Sequence, residues 1–141
     1  MSFALRIVLL FFFAGVGFLG YGHALGYLSN VMITNDNSLI YGTMLMQGFI
    51  AAALVAALLC FPLAKVFRRH APYAALVVSL PVLLLRIPEL MDSSRHPFAL
   101  FISAYEVLAY ALLLVLGAWL AHKQIIPNTA LQRDAPQAAR P

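Results

Sequence analysis

Residues 98–121 read FALFISAYEVLAYALLLVLGAWLA, an apolar run with one charged residue, Glu106. A bilayer hydrocarbon core about 30 Å thick is crossed by roughly 20 residues of helix rising ~1.5 Å per residue, so this run can span it. Within lipid the backbone must bond internally, which a helix does; a β-barrel would need alternating polar positions, and none appear. Working back along the chain, residues 73–90 (YAALVVSLPVLLLRIPEL) form a shorter run with Arg86 and Glu89 near its end. Residues 43–64 carry no charge, and no charge interrupts the chain between Arg6 and Asp36.

The expected fold is an all-α integral membrane four-helix bundle, with helices at about 5–27, 43–64, 73–90 and 98–121. These make one transmembrane domain over residues 1–123. The stretch 124–141 (QIIPNTALQRDAPQAARP) is polar and proline-containing and is expected to be a disordered cytoplasmic tail. Gly22, His23 and Ala24 resemble a small-x-small cleavage site, but the first run is longer than a signal core, so its helix is expected to be retained.

Composition points the same way. Of 141 residues, 63% are apolar and 10% charged, whereas an ordinary soluble domain is roughly half apolar and a quarter charged. A chain this short cannot hide that much hydrocarbon from water. The net charge of +4 does not indicate nucleic acid, because the basic residues form no stripe and lie at the ends of apolar runs. They read as topology signals. Arg6, Lys65, Arg68, Arg69, Lys123, Arg133 and Arg140 fall on one side, Arg95 and Arg86 on the other. That bias predicts both termini in the cytoplasm, with the bacterial inner membrane as the location. Cys60 is the only cysteine, so an intrachain disulfide or a cysteine-based zinc cluster is excluded within one copy.

Glu106 most needs a physical explanation. Nine residues past Pro97, it lies about 13 Å into the layer, where an unpaired carboxylate costs at least a few kcal/mol. Arg86 is the expected partner, since a short turn makes the third and fourth helices antiparallel neighbours and a guanidinium can form a bidentate bond to a carboxylate. Glu89, three residues on, can share that guanidinium. One reading makes Glu106 a proton or cation site tuned by Arg86; the other makes the pair a structural clamp. The clamp is favoured because a partner stands ready.

Gly48, Ala52, Ala56, Cys60 and Ala64 recur every four residues on the second helix. Small residues let backbones approach, so the column reads as a helix-packing face, against the same copy or a second protomer. Pro81 and Pro88 fall inside the third helix and are expected to kink it. Tyr21, Tyr27, Tyr41, Tyr73 and Trp119 read as interfacial anchors. His23 and His96 fall near one membrane face, His70 and His122 near the other; none has metal-ligand spacing, so a haem-carrying redox protein is the weakest reading. No catalytic residue, metal site or cofactor is expected, and Ser29, Ser79 and Ser103 belong to no catalytic motif.

An arginine closing the third helix, LLLRIPEL, followed by a glutamate in the fourth, SAYEVLAYALLLVLGAWL, resembles the DoxX-like class of small four-helix bacterial membrane proteins over the second half of the chain. That resemblance implies a four-helix bundle and no particular activity.

The extramembrane segments are too short for a catalytic domain. The leading expectation is therefore a non-enzymatic subunit, accessory or binding partner of a membrane complex, or a homo-oligomer, with lipid as its solvent. A small proton- or ion-coupled transporter using Glu106 is the alternative.

Overall fold

The computed structural model describes residues 3–33, 39–91 and 97–133, with the side chains of the last helix described as far as Gln124. In chain order the elements are α1 (Phe3–Val31), α2 (Ile40–Phe67), a single 3-10 turn (Arg68–His70), α3 (Ala71–Met91) and α4 (Pro97–Arg133). There is no strand among the described residues. Three helical stretches are long and apolar enough to cross a membrane: Phe3–Val31, Ile40–Met91 and Pro97–Gln124. By length and composition the chain is a membrane protein.

The helices exceed their expected bounds by one to a few residues, because hydropathy marks the lipid-facing centre while the helix runs on until its backbone is released. The largest difference is in α4. It continues past Lys123 to Arg133, so the stretch expected to be a disordered tail begins as helix. No glycine stops it, and Ala130, Leu131, Gln132 and Arg133 are helix formers. Residues 134–141 lie outside the described residues, as do Asp36, Arg95 and His96.

The middle stretch is broken at Arg68, whose φ of 48° and ψ of −118° are rare for a residue with a side chain. There the chain reverses. A Cβ built on Gly17 would lie 3.1 Å from Leu59 Cδ1 and 3.4 Å from Val78 Cγ1, which brings α2 and α3 side by side at that level. In one straight rod, residues 19 apart would be separated by about 28 Å. The prolines do not end their helices: α2 runs through Pro62 and α3 through Pro81 and Pro88.

α4 packs most extensively on α2 and next on α3, and α1 packs on the same two helices. The core lies between them: Leu59, Leu63, Val78, Tyr110 and Leu114 are buried. α1 buries only Phe13, Gly17 and Tyr21, a single row at four-residue spacing. Leu9, Leu10, Phe18, Leu25 and Leu28 pack partly buried against that core, while Phe3, Leu5, Phe11, Phe12 and Leu19 face outward, as they would toward lipid.

Candidate functional site

The described residues hold one concentrated set of intramembrane charges, built from α3 and α4. Arg86 Nη2 donates to Glu106 Oε2 at 2.8 Å, and Arg86 Nη1 donates to Glu89 Oε2 at 2.6 Å. Arg86 and Glu89 are three residues apart on α3, so they share a face; Glu106 comes from the antiparallel α4. One guanidinium thus serves two carboxylates. Ser103, one turn before Glu106, donates from Oγ to Glu89 Oε2 at 3.4 Å, a carboxylate partner that no motif in the sequence indicates.

Glu106 is 7% exposed, whereas the side chains of Arg86 and Glu89 are 22% and 30% exposed. The carboxylate is the buried member and the other two open toward the surface. Its seat is Gly48 on α2: a Cβ there would lie 2.8 Å from Glu106 Cγ and 3.3 Å from Oε1. A side chain at this position would force the acid's stem to shift. Three helices therefore meet at one carboxylate.

The small-residue column faces α4 of the same chain. Gly48, Ala52, Ala56, Cys60 and Ala64 are all buried, and a Cβ on Gly117 of α4 would lie 3.2 Å from Cys60 Cβ. Cys60 is a free, buried thiol.

Next to the charges lies a pair of tyrosines. Tyr110 follows Glu106 by four residues and shares its face of α4. Its ring meets that of Tyr21 on α1 with centroids 4.9 Å apart, tilted by 47°, and its hydroxyl abuts Gly17, where a Cβ would lie 2.7 Å away. Both hydroxyls are buried without a hydrogen-bond partner among the described residues, which few buried polar groups in proteins are. Tyr21 is 4% exposed, so it is a core residue and not an interfacial anchor; its amphipathic ring is turned inward because Tyr110 offers it an aromatic surface. Tyr27, Tyr41, Tyr73 and Trp119 are exposed. Sequence reading missed the Tyr21–Tyr110 contact, and the only signal was the four-residue step from Glu106 to Tyr110. Arg86 and Tyr21 also line a cavity of about 180 Å³ between α1 and α3, together with Phe18, His23, Val82 and Leu85.

The described histidines do not converge. His23 Nδ1 bonds the carbonyl of Leu19 at 3.0 Å on its own helix, His70 lies in the exposed 3-10 turn, and His122 lies on α4. Among the described residues no three His, Cys, Asp or Glu side chains gather as a metal site would require.

Chemically, the arrangement can do two things. It can lock α2, α3 and α4 in register through a neutralised carboxylate, or it can hold an exchangeable proton at an acid that shares its cation with another acid. Compared with protein-family models, curated proteins and solved structures, the chain finds no match.

Proposed function

We propose that this chain is a non-enzymatic bacterial inner-membrane protein that crosses the bilayer four times, with both termini in the cytoplasm, and works as a subunit, accessory or binding partner of a membrane complex. Four crossings are supported by the reversal at Arg68. A 52-residue middle stretch would be about 78 Å long as one rod, against a core of about 30 Å. Divided at the turn, α2 and α3 are each long enough to cross the layer. The orientation rests on the Lys and Arg asymmetry, and the likeness of the Arg86 and Glu106 stretches to DoxX-like proteins belongs to the same proposal.

The observation that carries the reading is the mutual use of Arg86 and Glu106 at 2.8 Å, with Glu106 wedged on Gly48. A charge pair consumed in this way acts as a clamp and leaves the bundle rigid. The bundle then presents outward surfaces of Leu, Phe and Val to lipid and partners. A proton- or cation-coupled transporter is the second reading, favoured by the unpartnered Tyr21 and Tyr110 hydroxyls beside the acid, polar atoms that a static clamp does not use.

One variant separates the two. Under the clamp reading, Glu106→Gln lowers the amount of folded protein in the membrane, and vesicles of the wild-type protein carry no proton flux. If Glu106→Gln left amount and stability intact while abolishing a proton flux measured with a trapped pH dye, the clamp would be refuted and the transporter supported.

A further inference from the structure

We propose that the groove where the start of α1 meets the end of α2 binds an anionic glycerophospholipid, its phosphate at Arg6, Lys65 and Arg68 and the root of an acyl chain along Phe61 and Pro62. Two adjoining hollows support this. One, of about 430 Å³, is lined by Arg6, Lys65, Val66 and Arg68. The other is a shallow, open one on the face of α2, lined by Phe61, Pro62, Lys65 and Val66. Lys65 and Val66 line both, so the cationic hollow and the apolar one share an edge on α2.

The cations are available. None of Arg6, Lys65 and Arg68 has a carboxylate partner among the described residues, where the ion pairs are those of Arg86 with Glu89 and Glu106. Three unpaired cations around one hollow repel each other until an anion enters. Their convergence also depends on the backbone. With φ at 48° and its amide donating to the Ala64 carbonyl, Arg68 turns off the α2 axis and faces the groove instead of continuing the helix. Backbone in such a region persists where surrounding structure or function holds it.

The second hollow identifies the anion as a lipid. Phe61 lies one helical turn, about 6 Å, before Lys65, farther from the helix end and so deeper in the span. Free phosphate or nucleic acid would have no use for an apolar wall there. A glycerophospholipid presents phosphate and hydrocarbon in that order, and basic pockets between transmembrane helices suit such headgroups. This inference needs only that α1 and α2 lie in a membrane; it does not depend on the role of Glu106.

The test uses the full chain, delipidated in a nonionic detergent and titrated with defined lipids under native mass spectrometry. Phosphatidylglycerol is expected to bind about five-fold or more tightly than phosphatidylcholine, with Lys65→Gln and Arg68→Gln each weakening it about five-fold. Either substitution leaves most of the topology-setting cations in place. Phe61→Ala, which alters no charge, should weaken phosphatidylglycerol and leave glycerol 3-phosphate unchanged. Lys123→Gln should have no effect, since that cation lies over Trp119 at 3.8 Å and outside the groove. Equal binding of the two lipids, an equal loss with Lys123→Gln, or glycerol 3-phosphate binding as tightly as the lipid would each overturn the proposal.

Discussion

The ion cluster is asymmetric, and that asymmetry predicts which substitution does more harm. Among the described residues Glu106 has one ion-pair partner, Arg86, whereas Arg86 also holds Glu89 at 2.6 Å. Glu106→Gln leaves the guanidinium paired with Glu89, and the new amide oxygen can still accept from Nη2. The loss is then the difference between a charged and a neutral hydrogen bond, about 1 kcal/mol. Arg86→Leu instead strands a carboxylate that is 7% exposed, and removing one member of a buried pair costs about 3–5 kcal/mol. Combining the two changes removes the stranded charge and should recover roughly 2 kcal/mol of that loss, a coupling typical of residues in direct contact. Unfolding by SDS in mixed micelles, followed through the single Trp119, gives all three values on one scale. The reasoning is refuted if Glu106→Gln costs as much as Arg86→Leu, or if the double variant is no more stable than Arg86→Leu alone.

Gly48→Ala should destabilise by about 1–3 kcal/mol through overpacking against the Glu106 stem, and the penalty should vanish in a Glu106→Ala background; Gly15→Ala, where a Cβ meets nothing within 4 Å, should be neutral or stabilising in the same unfolding assay. Tyr21→Phe removes a hydroxyl without a partner and should leave stability unchanged or raise it by up to about 1 kcal/mol; a clear loss would show that the hydroxyl is bonded in the membrane. In a Cys60→Ala background, an impermeant maleimide added outside the cell should label Asn37→Cys and spare Ser2→Cys and Gln137→Cys, and labelling at residue 2 would reverse the proposed orientation.

The long apolar helices could be read from the sequence because lipid favours apolar side chains along most of a segment and a backbone that bonds to itself. The contact of Arg86 with Glu106 could also be reached, since a short connection makes α3 and α4 neighbours and depth makes an unpaired acid expensive. Which other helices meet that acid could not. Hydropathy is nearly uniform around a helix bathed in lipid, so it does not say which row of α2 faces α4 or where α1 docks, and the contact of Tyr21 with Tyr110 depends on both.

The small residues illustrate the gap. A column of glycine and alanine reads as a surface where two backbones approach, and along Cys60 and Gly117 that is what α2 and α4 do. At Gly48 and Gly17, however, the missing Cβ makes room for the Glu106 stem and the Tyr110 hydroxyl, side chains of α4 that would otherwise clash with α2 and α1. The two glycines are therefore seats for polar groups in an apolar interior. Alanine at either would press on a polar side chain of the site before it pressed on a backbone, which is why these positions, more than the rest of the column, should couple to Glu106 and Tyr110.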